Sequence, residues 1–224
     1  MATNVPVKYD MMRRLRVADY ITLSNGFCGV LAIFCAINKS FLLAHFLIFL
    51  GYEFDRFDGI VARARNECSE MGKQLDSFCD LVSFCVAPAV IIYCAGFDTI
   101  VDQLALTIYV CSGVARLSRF NIAAHLVPKS DQGKAMYHEG LPTPYAGLLF
   151  STAAAAAEWT GFLVNLASRS HYPVIIFVLI VSTAMLSKRL HLYIDGAYSV
   201  PVISMLVFAG CWTQSPMSIR AVLG

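Results

Sequence analysis

At 224 residues, 58% of them hydrophobic and 14% charged, the chain carries far less charge than the roughly 25% of a soluble domain. That length and mean hydropathy suit one polytopic membrane domain over residues 1–224 and leave no room for a second globular unit. A formal net charge of +2 gives no basis for nucleic-acid binding.

Residues 1–12 read as a short tail, loose or lying on the membrane surface. Arg13, Arg14 and Arg16 then precede an apolar run in the manner of a signal peptide. No small-residue cleavage site follows, and Asp19 and Asn25 interrupt the run. It is therefore read as a retained transmembrane helix from about Val17 to Ile37, long enough for a hydrocarbon core of about 30 Å. Asn38-Lys39-Ser40 marks a tight turn. The second span starts near Phe41 and ends in the polar sequence Asp55-Arg56-Phe57-Asp58-Gly59. The third runs from about Gln74 to Gly96, with Pro88 placed to bend it. Phe97 to Ile100 links to a fourth span, about Val101 to Ile122, whose far end reads Arg116-Leu117-Ser118-Arg119-Phe120-Asn121. A polar loop from Ala123 to Gly140 leads to Gly140-Leu141-Pro142-Thr143-Pro144, whose prolines suit the first turn of a helix. The fifth span is about Tyr145 to Leu166. Its five consecutive alanines, Ala153 to Ala157, form a packing face, and Glu158 reads as a helix-packing partner. The sixth is about Tyr172 to Leu186, and a seventh is expected from Ala197 to Thr213. The eight cysteines are scattered without a Cys-x2-Cys pair, and the five histidines show no ligand spacing. Neither a disulfide framework nor a zinc site is expected.

Charge bias orients this chain. With the amino terminus in the cytosol, 14 of the 17 basic residues fall on the cytosolic side, leaving Lys39, Arg169 and Arg220 for the other. That follows the positive-inside rule and puts the end of the second span and the start of the third at the cytosolic boundary.

Four carboxylates sit at that boundary. Asp55 and Asp58 are i, i+3 and share a helix face; Asp76 and Asp80 are i, i+4 and share another. Ionisable groups inside a membrane mark functional sites. Four negative charges cannot converge in low dielectric without compensation. Two divalent cations would neutralise them, and oxygen-only ligands favour Mg²⁺ or Mn²⁺. A purely structural reading would pair the aspartates with Arg56, Arg63, Arg65 and Lys73. A divalent-cation transporter would also carry intramembrane carboxylates, but its site belongs near the midplane, often on repeated halves, and no repeat is visible. A non-catalytic scaffold would not need the full carboxylate set.

The pattern Asp-x2-Asp-Gly-x2-Ala-Arg-x8-Gly-x3-Asp-x3-Asp, spanning Asp55 to Asp80, resembles the signature of the CDP-alcohol phosphotransferase family at every fixed position. The resemblance implies an all-α integral membrane fold with a six-helix transmembrane core and one or two further C-terminal helices. It implies transfer of a phosphate-bearing group from a CDP-alcohol to a second alcohol, with release of CMP. It makes Asp55, Asp58, Asp76 and Asp80 the ligands of two Mg²⁺ or Mn²⁺ ions, and Asp80 also the base that takes the proton of the attacking hydroxyl. Gly59, Arg63, Ser69 and Gly72 match positions that cradle the CDP group, with Asp19, Thr22 and Asn25 of the first helix as further parts of that pocket.

Arg116–Asn121, Gly140–Pro144 and Thr22-Leu23-Ser24-Asn25 are similar to segments of the branch that makes phosphatidylserine from CDP-diacylglycerol. This makes L-serine the expected acceptor, with inositol or glycerol phosphate as alternatives. Family members are commonly homodimers, with their active site facing the cytosol, in the endoplasmic reticulum membrane of eukaryotes or the inner membrane of bacteria. Serine brings a carboxylate suited to a guanidinium fork. Arg116 and Arg119, i, i+3 on one face, are the candidates for it, unless both snorkel to lipid phosphates. Asn121 and Thr143 contact serine or satisfy backbone groups. The expectation from sequence is that Arg119→Ala raises the serine requirement more than the CDP-lipid requirement.

Overall fold

The computed structural model describes residues 15–123, 137–160, 170–189, 191–193, 201–202, 204–206 and 209. The expected tail, most of the Ala123–Gly140 loop, the end of the fifth span, the Glu158 side chain and much of the seventh span lie outside the described residues. Seven helices lie among those described: α1 (Val17–Ile37), α2 (Phe41–Ala64), α3 (Glu70–Asp80), α4 (Ala87–Cys94), α5 (Ile100–Ala123), α6 (Thr143–Thr160) and α7 (Tyr172–Leu186). A π-helical segment, Leu81–Val86, joins α3 to α4 without a break. Val17–Ile37, Glu70–Cys94 and Ile100–Ile122 are long and apolar enough to cross a membrane; Tyr172–Leu186 is apolar but shorter. In α2, Glu53, Asp55, Arg56 and Asp58 interrupt the apolar run.

The first hairpin follows from side-chain size. The buried stripe of α1 is Ala18, Thr22, Asn25, Cys28, Gly29, Ala32 and Ala36, all small or polar, so α2 can lie close against it. The opposite stripe, including Leu23, Phe27, Val30, Phe34 and Ile37, is exposed and apolar, as a lipid-facing surface must be. The turn between α1 and α2 puts Lys39 at a positive φ of 60°. Its Nζ donates to the Cys94 carbonyl, which satisfies a group that the end of α4 leaves free.

Just before Pro88, where the helix is expected to bend, the chain forms a π-helical segment. Proline has no N–H for the carbonyl four residues earlier, and the chain accommodates this with the π-helical segment just before α4. The helix also begins at Glu70, four residues before the expected Gln74, because Ser69 Oγ accepts the Gly72 N–H at 3.0 Å and caps it. One feature departs from an all-α fold. Tyr137–Glu139 (β1) and His191–Tyr193 (β2) pair antiparallel, with Tyr137 opposite Tyr193 and Glu139 opposite His191. The ribbon ties the segment before α6 to the one after α7.

The core centres on the π-helical segment, with Phe84, Ile91, Tyr109, Leu148, Phe150 and Met185 buried together. Tyr109 and Phe150 meet edge to face at 4.7 Å, and Phe150 meets Phe177 the same way at 5.5 Å. Two polar clasps lie away from the aspartates. Buried His45 of α2 contacts Ser151 Oγ at 3.0 Å and the Ser204 carbonyl at 3.3 Å, joining α2, α6 and the helical residues beyond 200. At the end of the molecule opposite the aspartates, Asp102 Oδ2 accepts from the Thr99 N–H and hydroxyl and sits 2.5 Å from His171 Nδ1. Asp102 is 2% exposed, so losing that partner is costly. His171→Ala is expected to destabilise the fold by about 1–3 kcal/mol, seen as a lower thermal unfolding midpoint in detergent, with chemistry at the distant aspartates unchanged at low temperature.

Candidate functional site: a carboxylate cluster at one end of the bundle

Helices α2 and α3 meet at the end of the bundle that also gathers Arg56, Arg63, Arg65, Lys73, Arg116 and Arg119. The i, i+3 and i, i+4 steps put two aspartates on each inward face. One carboxylate oxygen each of Asp55, Asp76 and Asp80 lies within 4.8 Å of the other two. Asp55 comes from the third turn before the end of α2, and Asp76 and Asp80 from α3; α1 packs against both helices and so brings their carboxylates together. Asp58, 7% exposed, stands beside it. Its Oδ2 accepts from Thr22 Oγ1 at 2.5 Å, and it is close enough to Asp76 for their charges to interact.

The basic residues that the salt-bridge reading names around the motif pair mostly with glutamates, though Arg63 is close enough to Asp58 for their charges to interact. Arg56 holds Glu53 at 3.2 Å, Arg65 holds Glu67 at 2.9 Å and Lys73 holds Glu70 at 2.6 Å. Three of the four cations named in that reading therefore have glutamate partners. Asp76 Oδ1 is buried with no hydrogen-bond partner. A buried carboxylate oxygen without a donor is destabilising by itself, and the neighbouring carboxylates of Asp55 and Asp80 add like-charge repulsion to that cost.

Two glycines let polar side chains approach the backbone closely beside the cluster. A Cβ on Gly72 would lie 3.0 Å from Asp19 Oδ1 and 3.2 Å from Ser69 Oγ, so Asp19, Ser69 and Gly72 form one polar recess where α1 and α3 begin. Asp19 also accepts the Arg16 N–H at 2.8 Å, fixing the first turn of α1. A Cβ on Gly59 would lie 3.3 Å from Arg63 Nη1; the Arg63 guanidinium thus lies over the bare backbone there.

Asn25 is fully buried. Its Nδ2 donates to Asp80 Oδ1 at 3.2 Å, so it supports that carboxylate from below. The two arginines of α5 also separate. Arg119 donates to the Leu186 carbonyl at 2.9 Å and the Met185 carbonyl at 3.4 Å, at the end of α7. Arg116 is 6% exposed, donates to Thr143 Oγ1 at 3.3 Å, and keeps its Nε buried without a partner. It is close enough to Asp80 for their charges to interact. Asn121 Nδ2 donates to Ser77 Oγ at 2.9 Å and links α5 to α3. Thr143 is fully buried and accepts from Arg116.

The family model for CDP-alcohol phosphatidyltransferases matches residues 15–200. The chain belongs to that family. As a member of the CDP-alcohol phosphatidyltransferase family with several apolar spans, it is a multi-pass membrane protein. It is 49% identical over 144 residues to the CDP-diacylglycerol–serine O-phosphatidyltransferase of Saccharomyces cerevisiae, a match covering 61% of this chain and 52% of the yeast protein. It is 39% identical over 130 residues to the enzyme of the same name from Bacillus subtilis, covering 57% of this chain and 69% of that one. The archaetidylserine synthase of Methanothermobacter thermautotrophicus is 33% identical over 186 residues, 81% of this chain and 72% of that protein. The match thus spans about half the length of the yeast relative. The family uses divalent metals, and this family member fits one. Its Asp55, Asp76 and Asp80 are hard oxygen donors gathered in one place, and the orphaned Asp76 Oδ1 gains a partner if an ion is held there.

Proposed function

We propose that this chain transfers the phosphatidyl group of CDP-diacylglycerol to the hydroxyl of L-serine, giving phosphatidylserine and CMP. The observation that carries this reading is the convergence of Asp55, Asp76 and Asp80 around a buried, unpartnered carboxylate oxygen at one end of the bundle. The similarity to serine-using relatives supplies the acceptor.

In this reading Asp55, Asp58, Asp76 and Asp80 would hold two Mg²⁺ or Mn²⁺ ions. When bound, such ions bind phosphate oxygens and offset the charge that develops during in-line attack. Arg63, lying over Gly59, and the recess of Asp19, Ser69 and Gly72 hold the CDP group, with Thr22 orienting Asp58. Asp80 accepts the proton of the serine hydroxyl, and Asn25 holds Asp80 in place for it. The serine oxygen bonds to the phosphatidyl phosphorus as the bond from that phosphorus to CMP breaks. Arg116 takes the serine carboxylate, supported by Thr143. Arg119 and Asn121 serve the site through the helix ends they tie together.

The whole chain forms one catalytic domain with a six-helix core: α1, α2, the continuous α3–α4 helix, α5, α6 and α7. The helical residues beyond 200 add a further span. The site faces the cytosol, in the endoplasmic reticulum membrane of a eukaryote or the inner membrane of a bacterium, and the protein works as a homodimer among membrane lipids.

The test is CMP release by purified protein in detergent, given CDP-diacylglycerol and Mn²⁺, with serine, inositol or glycerol phosphate in parallel. Serine-dependent release that is lost with a chelator and restored by Mn²⁺ is the expected result. Release with inositol or glycerol phosphate but not serine would reassign the acceptor. Release with none of the three would end the reading.

A further inference from the structure

Asp80 is the last residue of α3, and the next residue begins the π-helical segment. A helix with i→i+5 bonding is rare and tends to occur at functional sites. Here its cause and its supports are both visible. Pro88 has no N–H to give to the Phe84 carbonyl, its acceptor in an α-helix. The hydroxyl of Tyr109, from α5, donates to that same carbonyl at 2.6 Å. Tyr109 is fully buried, so its hydroxyl has no solvent alternative.

Glycines of α1, α5 and α6 hold the segment by close approach. A Cβ on Gly29 of α1 would overlap Ser83 Oγ and lie 2.7 Å from the Ser83 Cα. On Gly147 of α6 it would lie 2.8 Å from the Phe84 Cα and 2.9 Å from the Phe84 carbonyl oxygen. On Gly113 of α5 it would overlap Cys85 Sγ. Three consecutive residues, Ser83, Phe84 and Cys85, are thus each met by a glycine from a different helix. Ser83 Oγ also donates to the Asn25 carbonyl at 2.9 Å, and Asn25 is the residue whose amide supports Asp80.

A π-turn holds about one residue more than an α-turn, so it rotates the helix before it by roughly 100° relative to the helix after it. The α4 face is fixed in the core by Ile91 and Ile92. The direction of Asp76 and Asp80 therefore depends on the segment keeping its register. We propose that Tyr109 is a positioning residue for the carboxylate cluster: its hydroxyl, by occupying the Phe84 carbonyl that Pro88 leaves free, fixes the π-turn that sets Asp80 against Asp55. This rests on the metal-site reading of that cluster.

The experiment measures Mn²⁺ binding by the full-length protein in detergent, without lipid or serine, from the electron paramagnetic resonance signal of free Mn²⁺. Thermal unfolding is followed in parallel. Tyr109→Phe keeps the ring and removes only the donor. It is expected to weaken Mn²⁺ binding about tenfold and lower kcat more than it changes either KM. Phe150→Leu, which loosens the same core against the Tyr109 ring, is expected to lower the unfolding midpoint and leave Mn²⁺ binding within about twofold. Should Tyr109→Phe fail to fold, Pro88→Ala decides. That change restores an N–H to compete for the Phe84 carbonyl, and is expected to weaken Mn²⁺ binding without loss of stability. Unchanged binding in the folded variant, or an equal loss in Phe150→Leu, would overturn the proposal. Absence of Mn²⁺ binding by the unaltered protein would instead overturn the metal-site reading itself.

Discussion

Asp80→Asn is expected to slow CMP release by at least about a thousand-fold while the protein stays folded and inserted. The change keeps shape and removes one charge. The oxygen that faces Asn25 Nδ2 at 3.2 Å still accepts from it, so the support beneath residue 80 survives. What disappears is basicity at the point where the serine hydroxyl must lose its proton, a contribution of about 10²–10⁴. One of the three carboxylates gathered within 4.8 Å also loses its charge. The two losses fall on the same atoms and are not independent, so they are expected to combine less than additively. Rates measured with saturating CDP-diacylglycerol and serine, beside size-exclusion and thermal unfolding profiles, check the result. A variant that turns over within tenfold of the unaltered protein would remove Asp80 from the chemistry.

Local features of the fold were legible where the sequence punctuates them. Val17–Ile37 and Tyr172–Leu186 agree with expectation, the first because Asn38-Lys39-Ser40 stops it and the second because Pro173 opens it. The start of α3 was harder to read. Glu70 and Lys73 look like loop residues, yet they pair with each other along its first turn and Ser69 caps it. Pro88 announced a disturbance in the third span but not its form. Whether a proline kinks a helix or is absorbed by a π-turn depends on what stands across from the freed carbonyl, and that is Tyr109, 25 residues further on. The β1–β2 ribbon, three residues a side, is too short for an alternating pattern to reveal.

The site was legible to the same depth. Spacing alone put Asp55 with Asp58 and Asp76 with Asp80 on shared faces, since that is a property of one helix at a time. Asn25 enters the expected nucleotide pocket through the family resemblance, not through its spacing. Its burial beneath Asp80 comes from the packing of α1 on α3, which no local pattern encodes. The same holds for the arginines of α5. At i, i+3 they are equivalent in sequence, and only the end of α7, whose Leu186 and Met185 carbonyls receive Arg119, separates them.

That separation sets the second large effect. Arg116→Ala is expected to raise the KM for serine by about a hundred-fold and to change the KM for CDP-diacylglycerol by less than threefold. A guanidinium buried at 6% exposure with its Nε unpaired has an unmet donor where a carboxylate would satisfy it. Losing a charged, buried hydrogen bond to substrate is worth several kcal/mol, less what water filling the space restores. Arg116→Lys should recover little, because a point charge cannot reproduce the fork. Arg119→Ala serves as the contrast. It strips donors from the last carbonyls of α7, so its effect should fall on thermal stability and on both substrates alike. The measurement is a full two-substrate rate surface for the three variants. If Arg119→Ala raised the serine KM selectively and Arg116→Ala did not, the clamp would belong to Arg119. The α7 carbonyls would then have to release its guanidinium whenever serine binds, exchanging two neutral acceptors for one charged one. The roughly twofold greater strength of a charge-assisted bond makes such an exchange worthwhile only if α7 can close its own end without Arg119. In the present geometry the Ser187 N–H already returns to the Thr183 carbonyl at 3.0 Å and the Leu141 N–H to the Ala184 carbonyl at 3.0 Å, while the Met185 and Leu186 carbonyls are the two that Arg119 satisfies. Arg116 has no such competing duty at its Nε, and the carboxylate is therefore expected to bind there.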